Sequence, residues 1–582
     1  MVTRETICEQ FEALGSVPSD IVLSKCVEIC ANYGIDDPEQ FVEQWMAFSI
    51  SNLGGAEPTL EYLKQMERKE LKRNENVKET KIIPVDSFPP HELSLTKEIL
   101  SYNSYVNDLD NSQIKDDIEY KPGAVVCTYG KLNSKVTTWL NKNLKYNVEL
   151  QIVPNKKGEY LDNNALYMFD NLADKCNIIG DHMYITGLQL CDKYLNNSSQ
   201  TNASDSTIAN TSNAQNTTHY SKSTSNDYSE LSFVNASGQD IKKSIGRIVC
   251  DADGRLNPSS VMVHSTDDQA LRKCHLNFNN LHSYDLYPGQ TCMINGVNPR
   301  GDTIYVSDIK SELSSIMPNS SQITVTEGPL HIFIASGPFT SPDNLKYEPF
   351  KNIISYVKKH QPQVIILLGP FIDSQHELIV EGSLNVNFND FVETLLTDLM
   401  EAIENPTSKI IIVSSSKDAI SAEVFPTPPY KLFNGLNKPH LMLLPDPCTI
   451  NILGILFTLT STDVVRHMQE EELVHNAGRD IVRRCIRRIF STRNMYPIYP
   501  PSNDVSLDTQ LWSQFCEIDS IPHIMVLPSD NKYYIRDIDG CIIINPGRMV
   551  NENSGTFTRL EIHPSVGTNN LIERLACQTI KV

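Results

Sequence analysis

Apolar positions along this chain change their spacing from region to region, and each spacing predicts a different kind of structure. Over residues 1–73 they recur at helical intervals: Ile7, Phe11 and Leu14; Ile21, Val22, Cys26 and Ile29; Phe41, Trp45 and Phe48; Leu60, Leu63 and Met66. Asp37-Pro38 reads as an N-cap followed by proline at the first helical position, and Glu57-Pro58-Thr59 announces a fourth helix. Four short helices of this kind can bury one small core. The pattern then fails. Charge clusters at Glu67–Lys72, and polar residues dominate to about 118, with Pro84, Pro89 and Pro90 among them, which predicts a flexible tether with room for one docking segment.

Short strand-like runs follow: Ala124–Tyr129, Val148–Val153, Met183–Leu188, Ser244–Asp251, Ser260–His264, Thr291–Val297 and Thr303–Ser307, with turns at Asp253-Gly254, Pro288-Gly289 and Arg300-Gly301. Many short strands between turns predict a small antiparallel barrel. Residues 196–228 interrupt it with an Asn/Ser/Thr-rich stretch, too poor in large apolar side chains to repay its ordering entropy. From about residue 328, strands alternate with helices. His331–Ala335, Val364–Leu368 and Lys409–Val413 read as strands, Tyr347–His360 and Phe388–Ile403 as the helices between them. That alternation predicts βαβ units on a largely parallel sheet. Five later strands (His440–Leu444, Leu453–Thr460, Ile524–Leu527, Tyr533–Asp537, Cys541–Asn545) and a helix at Gly478–Phe490 complete one α/β sandwich. The expected fold class is therefore multidomain α+β, divided as a helical bundle over 1–73, a linker over 74–118, a barrel over 119–320 and a sandwich over 321–582.

Composition narrows the function classes. The formal net charge is −21, which argues against gripping a phosphate backbone as the main task and leaves DNA contact mainly indirect. No apolar run reaches the ~18 residues of a membrane span, and no signal-peptide core opens the chain, so an intracellular protein without membrane contact is expected. The 14 cysteines include no Cys-X-X-Cys pair, and Cys26 and Cys30 lie one helical turn apart, as buried reduced thiols would. The four arginines Arg483, Arg484, Arg487 and Arg488 share one helix, either as a solvated face or as an ion-pair patch towards an acidic partner or a DNA backbone.

In an α/β sheet, reacting groups sit on the loops that follow the strands. Here those loops read Ser336-Gly337-Pro338-Phe339, Gly369-Pro370-Phe371-Ile372-Asp373, Ser414-Ser415-Ser416-Lys417-Asp418, Thr460-Ser461-Thr462-Asp463 and Pro528-Ser529-Asp530. The layout resembles the calcineurin-like metallophosphoesterases, whose corresponding loops carry Asp-X-His, Gly-Asp-X-X-Asp, Gly-Asn-His-Asp/Glu and Gly-His-X-His. Two metals ~3.5–4 Å apart need a bridging carboxylate and further His and Asp ligands. Ser336 begins a first loop without Asp or His, Pro370 stands at the bridging position, and only Asp373 and Asp418 remain. Proline offers no side-chain donor atom, so no metal, cofactor or catalytic residue is expected. Asp373 with His376 reads as a capping Asp beside a surface His. Ser414–Ser416 lacks a nucleophile elbow and reads as a turn.

Specific stretches then resemble the B subunits of replicative DNA polymerases, and the polymerase α type most. They are Gly246-Arg247-Ile248-Val249-Cys250-Asp251-Ala252-Asp253-Gly254-Arg255-Leu256-Asn257, Leu286-Tyr287-Pro288-Gly289-Gln290 with Asn295-Gly296, Ser336–Thr340, Leu368–Asp373, Leu459–Asp463, Tyr496-Pro497-Ile498-Tyr499-Pro500-Pro501 and Asn545-Pro546-Gly547-Arg548. The resemblance implies an OB-fold barrel packed on an inactive phosphoesterase domain. The pair would grip the zinc-containing C-terminal region of the polymerase α catalytic subunit in the nucleus, and reach primase through the complex. The N-terminal helices would recruit other replication factors. Two other readings remain: an active metallophosphoesterase or nuclease, and a B subunit of polymerase δ or ε.

Overall fold

A computed structural model describes residues 4–13 and 20–33, scattered positions from 38 to 63, and then 122–133, 148–195, 231–251, 254–266, 271–313, 328–404, 407–432, 440–550, 555–564 and 570–582, with isolated positions such as Trp139. The expected tether at 74–118 and the insertion at 196–228 lie outside these residues. The chain divides into two compact units, Met1–Ser94 and Leu95–Val582. In the first, helices Arg4–Ala13 and Asp20–Tyr33 bury Ile7, Phe11, Val22, Cys26 and Ile29 in one cluster with Phe41, Trp45, Phe48 and Leu63. Burial pushes the Cys26 and Cys30 thiols up, to about 12 and about 11.

The second unit is built on runs such as Val364–Leu368, five consecutive apolar residues that can be stable only as a strand covered on both faces. All five are fully buried. This strand pairs in parallel with Leu330–Ser336 on one side and Lys409–Val413 on the other, and Leu441–Leu444 extends the parallel set. Antiparallel strands Thr556–Ile562, Leu575–Lys581 and Val125–Tyr129 complete seven. A second sheet has six strands in the order Tyr534–Ile538, Cys541–Asn545, Ile524–Val526, Ile455–Leu459, Cys448–Ile452 and Leu150–Ile152. Period-two alternation sorts the side chains between layers. Ile332, Ile334, Ile366 and Ile411 of the first sheet share a core with Ile450, Phe457, Ile524 and Ile544 of the second. The opposite faces are covered by helices: Glu348–His360 and Phe388–Glu401 over the first sheet, Val464–Glu471, Ile481–Thr492 and Thr509–Phe515 over the second. The result is a four-layer helix–sheet–sheet–helix sandwich.

Strands Lys242–Cys250, Val261–Thr266, Leu271–Asn277, Thr303–Lys310 and Thr291–Val297 close, in that order, into a barrel filled by Ile248, Val263, Leu276, Ile294, Ile304 and Val306. Three strands expected here lie elsewhere. Val125–Tyr129 and Leu150–Ile152 pair in the two sandwich sheets, because their unpaired edges are met by Leu575–Lys581 and Cys448–Ile452. Met183–Leu188 is part of a 23-residue helix, Leu172–Tyr194, whose buried face (Met183, Thr186, Gly187, Leu190, Cys191) follows the helical period. A six-residue apolar run is too short to separate the two periods.

The barrel joins the sandwich through a small antiparallel pair, Tyr284–Leu286 with Leu473–His475. Two of the resemblance motifs meet at this joint. Gly289 takes φ +91°, any Cβ there would collide with the Tyr499 backbone, and the Tyr499 N–H donates to the Pro288 carbonyl at 3.1 Å. Arg247 stacks over the Tyr499 ring at 4.8 Å. The arginine helix serves the same joint. Arg488 is buried, paired with Asp285 and, at 2.8 Å, with Glu472, and lies over the Tyr287 ring at 5.2 Å. Arg484 also pairs with Glu472, while the more exposed Arg487 pairs with Asp539. For these arginines the acidic partner is therefore this chain's own surface. Burial lowers the Arg488 guanidinium to about 9. Removing it leaves the partly buried Asp285 without its arginine and Glu472 with Arg484 alone, so Arg488→Ala should lose about 3 kcal/mol in urea unfolding. Arg487→Ala, breaking an exposed pair, should lose under about 1 kcal/mol.

Candidate functional site

The four parallel strands of the large sheet end together, and the loops after them carry the positions where a metal centre was sought. Asp418 is the most informative of them. It is 2% exposed. The Phe371 N–H and, at 3.0 Å, the Tyr430 hydroxyl donate to its Oδ2, and the Ile372 and Ile420 N–H groups both donate to Oδ1 at 3.3 Å. A carboxylate has about four lone-pair positions, and here every one faces a donor. Burial raises its pKa to about 6, against the lowering pull of those four hydrogen bonds.

Pro370, at the supposed bridging position, sits directly beneath the first loop: a Cβ on Gly337 would run into the Pro370 carbonyl oxygen. Glycine is needed at 337 because two backbones touch there. Ser336 is fully buried; its hydroxyl accepts from Arg548 Nη1 at 3.0 Å and its carbonyl from the Met549 N–H at 2.8 Å. Asp373 lies beside Asp418, with their backbones paired, but its side chain turns back to accept from the Gln375 N–H at 3.0 Å. The expected capping Asp and surface His exchange roles. His376 is the cap of the turn Glu377–Val380, accepting from the Leu378 N–H at 3.2 Å, and it is buried, with Nε2 3.0 Å from the Ser341 carbonyl. In the serine turn, the buried Ser414 hydroxyl donates to the Thr427 carbonyl at 3.1 Å.

Asp446 at the strand ends escaped sequence reasoning, and Asn545 entered it only as part of a motif. Asp446 is fully buried; Thr460 Oγ1 (2.5 Å) and the Ser461 N–H (3.1 Å) face Oδ1, and the Ser461 (2.7 Å) and Thr462 (2.8 Å) hydroxyls face Oδ2. Burial raises its pKa despite those donors. The available signal was an acid held between two prolines, Pro445-Asp446-Pro447, together with a Thr-Ser-Thr loop. Asn545 is equally saturated: Oδ1 accepts from the Ser529 and Gly547 N–H groups, and Nδ2 donates to the Asn531 and Lys532 carbonyls. Asp530 is held below the usual carboxylate range: burial pushes it up, but Arg548 at 2.9 Å, then Lys417 and Arg466, outweigh it. These residues do not fit a two-metal centre. Among the described residues no three of His, Cys, Asp and Glu converge as ligands, and the two buried acids have no lone pair left to give one.

A closed five-stranded barrel on a mixed sandwich with tied-off strand ends defines the class: a mixed α+β protein with an OB domain. Three family models match successive parts of it. They describe the N-terminal region of the DNA polymerase alpha B subunit over residues 5–73, the OB domain of the DNA polymerase alpha B subunit over 210–312, and the DNA polymerase alpha/epsilon B subunit over 332–536. The chain is 29% identical to the DNA polymerase alpha B subunit of Drosophila melanogaster over 100% of both chains. It is 30% identical to that of Mus musculus over 54% of each. Among solved structures, an archaeal phosphodiesterase aligns with 40% of this chain and 99% of its own at 10% identity and a TM-score of 0.20, too slight a likeness to bear on the assignment. The chain belongs to the family of DNA polymerase alpha B subunits.

Asp418 gives the site a pH signature of its own. Its folded pKa of about 6 lies above the ordinary 3.8. The folded state therefore binds the proton first, and the stability this brings is lost as pH rises through about 6. Asp418→Asn does not titrate. Wild type should accordingly gain about 1 kcal/mol on the variant between pH 7.5 and pH 5, read from paired urea melts. Asp418→Ala should lose about 2–4 kcal/mol at pH 7, because several buried donors are left without an acceptor.

Proposed function

We propose that this chain is a non-catalytic accessory subunit of the polymerase α–primase complex. The observation that carries this reading is the run of three B-subunit family matches through the N-terminal, barrel and sandwich parts of one chain. The barrel and sandwich would together hold the zinc-containing C-terminal region of the catalytic subunit and reach primase through it. The helical module at 1–73 would recruit other replication factors across the 74–118 tether, and the protein would work in the nucleus. Ser336, Pro370, Asp373 and Asp418 are then the remnants of an ancestral metal site: a serine in a hydrogen bond, a proline, a turn-forming Asp and a saturated Asp. Without free ligand atoms the site has no means to activate water, so the strand-end loops serve the packing of the sandwich. The active phosphoesterase reading is not favoured, and the charge of −21 suits a protein-binding role.

Immobilised full-length chain, offered the C-terminal regions of the catalytic subunits of polymerases α, δ and ε, should retain only the α region. Retention of the δ or ε region instead would overturn the reading. The same preparation should show no hydrolysis of bis(p-nitrophenyl) phosphate above background with Mn²⁺ added at roughly a thousandfold over a micromolar affinity.

A further inference from the structure

The first sheet of the sandwich ends at Leu441–Leu444 and the second at Leu150–Ile152, and a cleft of about 320 Å³ opens where these two edges meet. Its floor is apolar, with Ile152, Leu444, Leu456, Phe515 and Ile518 among the lining side chains. None of Ser336, Pro370, Asp373 and Asp418 lines it, so it is separate from the degenerate metal position. A cleft of this size is at the small end of ligand sites, with room for one or two side chains.

One wall is a strap, residues 153–163, and it is held in shape. The Asn155 carbonyl accepts from the Gly158 N–H at 2.8 Å, and the Asn155 N–H donates to the Glu159 carbonyl at 2.9 Å. The Asn155 side chain donates to the Gln514 carbonyl at 3.3 Å, and Asn163 donates to the Tyr430 carbonyl at 3.4 Å, with Leu161 buried between them. The cleft therefore exists before anything binds, and filling it costs little ordering entropy.

The strand edge beside it is open. The Ile410 and Ser414 N–H groups donate to the His440 and Leu444 carbonyls at 2.8 and 3.1 Å. Backbone groups alternate along a strand, so those of Leu441 and Leu443 face the other way, where no described strand pairs with them. The rim is acidic. It carries Glu159, Asp162, Glu517 and Asp519, and among the described residues no basic side chain lines it. Lys156 reaches Glu517 and, at 3.8 Å, Asp519. One lysine between two carboxylates leaves a net negative charge. Burial holds the Asp519 carboxyl above its usual range in spite of Lys156, and Glu517 adds to the rise.

We propose that this cleft takes an extended, basic segment of the polymerase partner, which sets one apolar side chain between the two sheets and places Lys or Arg against the acidic rim. An open strand edge receives an extended chain by backbone pairing, with pockets for its alternate side chains. The carboxylates select its charge. The proposal rests on the accessory-subunit reading and names one place where the two chains would meet.

The test is a calorimetric titration of full-length chain with the C-terminal region of the polymerase α catalytic subunit. Ser520→Trp, which fills the cleft from its lining, should weaken binding roughly tenfold, and Glu159→Lys combined with Asp519→Lys should weaken it by about fivefold at low salt. Ser520→Ala, and Glu159→Asp with Asp519→Glu, should bind as wild type does. The lysine variant changes exposed side chains and should melt as wild type does; if the tryptophan variant melts lower, the lysine variant decides. Binding by both variants within about twofold of wild type, with unchanged melts, overturns the cleft alone. A loss with tryptophan and none with lysine means an apolar occupant without basic residues, and overturns the chemistry assigned to it. If wild-type chain does not bind the region at all, the accessory-subunit reading falls and the cleft's assignment falls with it.

Discussion

Everything at the C-terminal ends of the parallel strands depends on one requirement: a polar group taken out of water must find all its partners inside the protein. Asp418, Asp446 and Asn545 each meet it with four contacts, drawn from loops that are far apart in sequence. A buried carboxylate with fewer donors would cost several kcal/mol. With a full set it becomes a clamp. Asp418 fixes the loop after Val364–Leu368 to the loop after Lys409–Val413, and Asp446 fixes the loop after Leu441–Leu444 to the one after Ile455–Leu459.

The same saturation decides what these loops can do chemically. A metal ligand must keep a lone pair pointing into open space, and a general base must keep one for a proton. Neither acid has one free. Pro370 reinforces this by bringing its carbonyl against Gly337, where a ligand-bearing loop would need room. The buried polar atoms at the strand ends are spent on each other.

At the joint between barrel and sandwich the constraint is charge pairing rather than a full set of hydrogen bonds. Arg488 is tolerated in the interior because Asp285 comes from the barrel side and Glu472 from the sandwich side, with the Tyr287 ring beneath it. A buried ion pair of this kind adds little net stability compared with apolar packing, yet it punishes any arrangement in which the two parts separate. Gly289 against Tyr499 works beside it by simple lack of space.

The sequence alone determined the alternating strands and helices between residues 331 and 413, because a strand buried on both faces and a helix buried on one have unmistakable periods; Val364–Leu368 and Lys409–Val413 fall where their apolar runs put them, whereas strands Cys448–Ile452, Thr556–Ile562 and Leu575–Lys581 and helices Val464–Glu471 and Thr509–Phe515 went unpredicted. It also determined that Pro370 cannot ligate a metal, since that follows from the residue type. Tertiary structure alone decided the rest. Met183–Leu188 joined a helix, because a six-residue run fits either period and only the barrel face it packs on chooses between them. Val125–Tyr129 and Leu150–Ile152 joined the sandwich, because an edge strand takes whichever partner edge is free. The saturation of Asp418 and Asp446, the exchange of roles between Asp373 and His376, and the turn of Arg488 towards its own chain were likewise out of reach. The buried acids and Arg488 depend on partners many residues away, and the number of partners a buried polar atom finds is a property of three-dimensional packing that no local pattern encodes.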